Sequence, residues 1–264
     1  AVVAGTAGAA ALGRRARRRG RVAACVLPDG TNEEGEDIER PLGLTRGDLE
    51  RVVLYGQDAS PPCVKIQTML QYYGVPFEMV KGRHPTSDYK KIPVIELNDR
   101  QVNDSHVIVR NLVPVLTGRS LTEEELEWER RITFEFQPSF EVELFGNGGD
   151  LAKFVGVEGW QAGLLGLASG PISALVGSVF RSRYGDLPAA AAWGRDFQQA
   201  LGDRPFYHGQ APGPIDLSLY GTYVRFEEKG CQTSADFLGS SGLRAWHERM
   251  VRAVEAGAPA AAAA

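Results

Sequence analysis

A chain of 264 residues, 43% hydrophobic and 23% charged, carries enough apolar material for a sizeable core, as one large folded unit or two small ones. Its net charge of −4 conceals an asymmetry, because residues 1–28 hold six arginines and no acid, which leaves −10 for everything after them. That balance argues against nucleic-acid binding by the folded body, and three well-separated cysteines, Cys25, Cys63 and Cys231, argue against a disulfide framework and for a reducing compartment.

The opening "AVVAGTAGAAALGRRARRRGRVAAC" is rich in Ala, Gly and Arg. This is the composition of an organellar transit segment, so a plastid or mitochondrial address is expected, although a disordered basic tail has the same composition. Residues 29–50 are acidic and punctuated by Gly and Pro, and read as a linker. A segment with so little to bury orders only when something holds it, so a partner is expected to take residues 1–50. The fold is expected to begin near Arg51.

"VVLYG" at 52–56 is a short apolar run closed by glycine and predicts a strand. "PPCVKIQTMLQYYG" spaces Val64, Met69, Leu70 and Tyr73 as a helix does, and Gly74 ends it. "VPFEMVK", "KIPVIEL" and "RQVND" predict three further strands, and "SHVIVRNLVPVLTG" a helix closed by Gly118. The order β-α-β-β-β-α over 51–118 is that of a thioredoxin-like layer with helices packed on a mixed sheet. After Leu121 strand signals stop, and 119–258 reads as a helical domain. Its first helix, "TEEELEWERRITFEFQPSFEVELF", starts at the cap Thr122; later helices are "AAAAWGRDFQQALG", "PIDLSLYGTYVRFEEKG" and "GLRAWHERMVRAVEAG".

In "SPPC" at 60–63, Ser60 stands at the first position of a Cys-x-x-Cys frame and Cys63 at the second, so dithiol cycling within the motif is impossible. The turn into the first helix aims that helix's amino end at one point, where Ser60 can cap the helix and donate to a bound thiolate. A plain cap, with Cys63 a small buried hydrophobe, satisfies the same residues. Pro93 opens the third strand, where a cis Ile92–Pro93 bond would present the backbone of Ile92 to a peptide-like ligand; a proline at the start of an edge strand is the simpler account. In "NDS", Ser105 and the following helix end can take a carboxylate and Asp104 an ammonium, as a γ-glutamyl group requires, though an ordinary capping pair looks the same. Gly213, Pro214 and Asp216 form a helix start in which the carboxylate takes up free amides. The four histidines, at 84, 106, 208 and 247, are isolated in sequence, predicted to be exposed or capping, and suggest no metal site.

Residues 154–180 carry one charge, Glu158, and from Gly159 run uncharged for 22 residues. A bilayer span is conceivable by length, yet Pro171 and five glycines favour a buried or membrane-contacting helical hairpin, with Gly159/Gly163 and Gly166/Gly170 spaced for close helix approach.

With "SPPC", "YKKIPVIEL", "QVNDSHVI", "FVGVEGW", "DRPFYHGQAPGPIDLSLYG" and "WHERMVRAVE" in order, the chain resembles the membrane-associated prostaglandin E synthase type 2 family over roughly residues 51–255. That family is a branch of the glutathione-transferase-like proteins. The resemblance implies a thioredoxin-like domain joined to a helical one, a homodimer, glutathione in the cleft, haem association, and isomerisation of a prostaglandin endoperoxide. It places Ile92, Pro93, Asp104 and Ser105 against glutathione and Ser60 where the family has its catalytic cysteine, with Gln57 and Pro62 replacing two aromatic residues of the family's pocket. Two functions follow. One is a catalytically degenerate accessory subunit of an organellar membrane complex, held through 1–50 and 154–180, which is the reading the lost cysteine favours; the other is a glutathione-dependent transferase or isomerase in which Ser60 steers the thiolate of glutathione.

Overall fold

A computed structural model of the protein describes residues 42–87 and 89–258; the expected targeting segment, and most of the expected linker, lie outside them. The described chain starts with Leu42 buried in the core and a single turn of 3-10 helix at Arg46–Asp48. The Arg100 guanidinium donates to the Leu42 carbonyl, and the Asn98 carboxamide oxygen accepts from the amides of Glu50 and Arg51 at 2.9 and 3.1 Å. Residues 42–50 are therefore packed on the fold and not a free linker: Leu42 belongs to the core, with Leu44 and Leu49 packed against it.

Strands β1 (Val52–Gly56), β2 (Glu78–Lys81), β3 (Val94–Leu97) and β4 (Arg100–Asn103) form one sheet in the order β2-β1-β3-β4. β1 runs parallel to β2 and antiparallel to β3, and β3 antiparallel to β4. Helix α1 (Pro61–Tyr72) crosses from β1 to β2, and α2 (Ser105–Thr117) follows β4, ending in the left-handed Gly118. This is the expected thioredoxin-like layer. β3 begins one residue later than Pro93 because proline has no N–H for the ladder.

The second part is helical: α3 (Glu123–Arg131), α4 (Gln137–Gly146), α5 (Gly148–Val155), α6 (Trp160–Tyr184), α7 (Ala190–Leu201), α8 (Pro214–Glu228), α9 (Gln232–Ser241) and α10 (Arg244–Ala256). α3 starts at a capping box in which Thr122 and Glu125 exchange hydrogen bonds. The single long helix expected over 122–145 is interrupted by a widened π turn at Ile132–Phe136, whose last bond runs from the Gln137 amide to the Ile132 carbonyl. Pro138 explains it, since proline cannot supply the donor that an α-turn would bring to the Phe134 carbonyl. Short helices α5 and α9 were not evident as separate elements in the sequence.

The two parts share a core. α1 lies against α8, and they approach so closely that a Cβ on Gly221 would stand 2.6 Å from the Lys65 Cα. Asp216, fully buried at the start of α8, accepts from the Gly213 amide at 3.0 Å, the Tyr207 amide at 2.9 Å and the Trp246 indole at 2.9 Å, so one carboxylate ties together a loop and two helices.

The apolar stretch departs from expectation. Residues 160–184 form one continuous helix through Pro171, and the hairpin lies instead between α5 and α6, with its corner at 156–159 where Gly156 and Gly159 have positive φ. The carbonyl deprived of a donor by Pro171 is that of Leu167, which is 81% exposed, so water can replace the lost partner and the helix continues. α6 is also not buried: within it only Ser169 and Gly177 are. It rests on α4 through the Ser173 hydroxyl, which donates to the Val142 carbonyl at 3.0 Å, and on α5, where a Cβ on Gly148 would meet the Gly166 Cα at 2.3 Å. Of the four glycines expected at close crossings, Gly166 alone is met by another helix in this way.

Candidate functional site

The sheet register builds the site. Tyr55 of β1 pairs with Val94 of β3, and Val94 with Asn103 of β4, so the residues just beyond (Gly56, Pro93 and Asp104) lie side by side at one end of the sheet. The Asp104 amide donates to the Pro93 carbonyl at 3.3 Å, and the Ile92–Pro93 bond is cis. From the same end depart the loop 57–60 into α1 and the first turn of α2. Ser60, Ile92, Pro93, Asp104 and Ser105 are therefore gathered there, with the amino ends of two helices.

At α1, Ser60 is the cap residue by its backbone: its carbonyl accepts from the amides of Cys63 and Val64, both at 2.9 Å, and its hydroxyl makes no capping bond. Pro61 and Pro62 have no N–H, and the Cys63 amide is taken by Ser60, so the expected fan of free amides is absent from this helix start. The helix acts on a bound anion through its dipole, and the half-buried Ser60 hydroxyl, which also lies against the Cys63 thiol, is the hydroxyl donor in the motif. Cys63 is fully buried beneath β1, where a Cβ on Gly56 would lie 2.5 Å from its sulfur. Burial pushes its thiol up; the Gln57 backbone and the Ser60 hydroxyl pull the other way without restoring it. Burial and a raised thiol pKa place Cys63 poorly for acting as a nucleophile in the folded protein.

At α2, Asp104 takes φ +68° and caps the helix, its Oδ1 accepting from the His106 amide at 3.0 Å. Its Oδ2 accepts from the hydroxyl of the buried Tyr89 at 3.1 Å. Ser105 follows, buried in the first turn.

Beneath the site lies a cluster that sequence reasoning missed. The Lys65 ammonium donates to Glu129 Oε1 at 2.7 Å and to Thr133 at 2.9 Å; the Ser218 hydroxyl donates to Glu129 Oε2, and His106 Nδ1 stands 3.8 Å from Oε1. Lys65 and Glu129 are both 0% exposed. Burial alone would push Glu129 up, but the attraction of Lys65, with help from His106, outweighs it and holds the carboxyl at about 2. The available signal was a charged residue at an inward position on each of two amphipathic helices.

The histidines are not the exposed, isolated groups expected. Three are buried, and each of the four has a ring nitrogen directed at an internal partner: His84 at Glu96 (2.9 Å), His106 at Glu129, His208 at Glu125 (3.0 Å) and His247 at the Tyr223 hydroxyl (2.8 Å). Cys63 and Cys231 are buried with their thiols pushed up, so neither fits the axial ligation of a haem iron. The donor set at the sheet end does fit glutathione: an oriented carboxylate for an ammonium, a helix start with Ser105 for a carboxylate, and a strand-edge backbone at Ile92 for the cysteinyl unit.

Comparison with known proteins agrees with this fold. The family Glutathione S-transferase N-terminal domain matches residues 61–134. The chain is 24% identical to prostaglandin E synthase 2 of Mus musculus, over 78% of this chain and 71% of that protein. Among solved structures, a possible glutathione S-transferase from Rhodopseudomonas palustris superposes with a TM-score of 0.54 at 15% identity, covering 76% of this chain and 94% of that one. A glutathione S-transferase from Xanthobacter autotrophicus gives 0.51 at 21% identity, covering 76% and 92%. A β-etherase from Sphingobium gives 0.51 at 15%, covering 78% and 97%. The structures establish the fold, and in sequence the chain is similar to a glutathione S-transferase N-terminal domain over 61–134 and to mouse prostaglandin E synthase 2 over most of its length.

Proposed function

We propose that the protein binds glutathione at the sheet end and acts, if it meets an electrophile, as a transferase or isomerase whose nucleophile is brought in by the ligand. The observation that carries this is a carboxylate oriented at the sheet end above a buried cysteine: Asp104 is held by two donors, while Cys63 lies fully buried under Gly56. Glutathione, when bound, supplies a thiol. Asp104 faces its ammonium, Ser105 and the start of α2 its terminal carboxylate, and the backbone of Ile92 its cysteinyl amide, which leaves the sulfur near Ser60. There the hydroxyl donates to the sulfur and the positive end of α1 favours its anionic form, the proton leaving to solvent. Calorimetry of the full chain with glutathione tests this; saturable heat at millimolar ligand or below is expected, and no heat at that concentration removes the reading.

A second reading has its own observation. α6 turns Trp160, Leu167 and Leu175 outward at 75%, 81% and 68% exposure, with Leu164 and Val179 between and beyond them on the same side. Among the described residues it is the one helix long and apolar enough to cross a membrane, yet it is packed lengthwise on α4 and α5, so it is better placed to lie against an apolar partner than to cross a bilayer. This supports the role of an accessory subunit of an organellar membrane complex, docked through α6 and the segment 1–50. Native electrophoresis of solubilised organelles, probed with an antibody to the chain, is expected to find it in a large assembly; recovery only as a free monomer or homodimer contradicts the role.

A further inference from the structure

The loop between β2 and β3 does more than connect them. Its Tyr89 lies three residues before Ile92, is 5% exposed, and packs with Val94 and Tyr55 in a small apolar cluster of its own. From there its hydroxyl reaches Asp104 Oδ2 at 3.1 Å, while the other carboxylate oxygen accepts the His106 amide at 3.0 Å. The loop itself is pinned at Ser87, whose hydroxyl accepts from the Tyr89 amide at 3.1 Å and from the Gln101 side chain at 2.6 Å; the same Gln101 nitrogen donates to Asn103 at 2.7 Å. Tyr89 thus adds a side-chain link between the two halves of the cradle, the backbone at Ile92 and the acid at Asp104, beside the amide bond to Pro93 and the β3–β4 pairing.

We infer that Tyr89 is a positioning residue that sets the orientation of the Asp104 carboxylate, and through it the affinity of the site for a γ-glutamyl ammonium. Asp104 sits at a positive φ that a non-glycine residue holds only when its surroundings demand it. With one oxygen tied to Tyr89 and the other to the helix start, the carboxylate cannot turn about its terminal bond. Its remaining acceptor directions are presented to the mouth in one arrangement, so a ligand does not have to order it. The reading rests on the glutathione site proposed above, and the ligand it concerns is the γ-glutamyl portion alone.

The test is Tyr89→Phe, which keeps the ring in its apolar cluster and removes only the hydroxyl. In the ligand-free protein, hydrogen exchange at the His106 amide is expected to quicken about fivefold, because a freed carboxylate rotates away from it, while amides of β1 and β3 keep their protection. By calorimetry, glutathione and γ-glutamylcysteine are expected to bind about five- to tenfold more weakly, the usual worth of one hydrogen bond to a charged group felt at second hand, and cysteinylglycine as it does to the parent. In combination with Asp104→Asn the effect of Tyr89→Phe should vanish. A merely structural role would weaken all three ligands alike, and that result overturns the inference. So does unchanged exchange at His106, whatever glutathione does. If the parent chain binds no glutathione, the proposed function fails, and the exchange measurement alone decides whether Tyr89 orients Asp104.

Discussion

Replacing Lys65 with methionine should be among the most damaging single changes available to this protein, and its effect should depend on pH with a definite sign. In the parent, Glu129 is held at about 2 against an ordinary value of 4.5. A folded-state value below the unfolded one means that the carboxylate contributes stability in full above about 4.5 and loses it as pH falls through the range down to about 2. The depression corresponds to about 3 kcal/mol at neutral pH. Breaking a fully buried pair by removing one partner costs about 3–5 kcal/mol, since the remaining charge is stranded. Lys65→Met leaves Glu129 with Thr133, Ser218 and the more distant His106, and burial then dominates. The carboxyl should then take up a proton well above the range in which the parent's does, so the variant should become relatively less impaired on mild acidification, over which the parent's Glu129 stays charged. Urea denaturation of the full chain at about pH 7 and about pH 5, followed by tryptophan fluorescence, reads the loss and its pH dependence, because the parent's Glu129 stays ionised across that interval. The double variant Lys65→Met/Glu129→Leu should recover most of the loss, because an apolar pair of similar volume strands no charge. A loss below about 1 kcal/mol in Lys65→Met, or a double variant no better than the single, would refute the account of this cluster.

Other outcomes follow from single contacts. Gly221→Ala places a methyl 2.6 Å from the Lys65 Cα, which is backbone and cannot step aside, so α1 and α8 must separate; a loss of about 1–3 kcal/mol in thermal unfolding is expected, and an unchanged midpoint would count against the packing described. Asp216→Ala strands the Gly213 amide, the Tyr207 amide and the Trp246 indole in a buried place, at about 1–3 kcal/mol for each donor left unpaired; soluble yield and denaturation midpoint should both fall sharply, whereas parent-like stability would show the donors find other partners. Cys63, sealed under Gly56, should resist alkylation in the native protein as followed by peptide mass spectrometry, while Ser60→Cys should introduce a thiol that alkylates readily at neutral pH; rapid modification of Cys63 in the parent would contradict its placement.

What could be read in advance was whatever depends on neighbours in the chain. Strand-length apolar runs bounded by Gly56 and Gly74, the cap at Thr122, the glycine stop at Gly118 and the missing sulfur at Ser60 are local chemistry, and they carried the order of elements and the place of the cradle residues. Even the silence of the α1 amides was there to be seen in the two prolines. Partners distant in sequence were another matter. Lys65 and Glu129 are 64 residues apart, Tyr89 and Asp104 are 15 apart, and nothing local marks either pair, since each meets only when α1 lies on the helical domain or when a loop folds across the sheet end. The course of α6 was misjudged for the same reason. Proline weakens a helix by a local rule, but whether the chain bends there depends on what supports its flanks, and α4 and α5 supply that support from outside the segment. Covalent sequence thus settles which bonds a residue is able to make, and the packed fold settles which of them it does make.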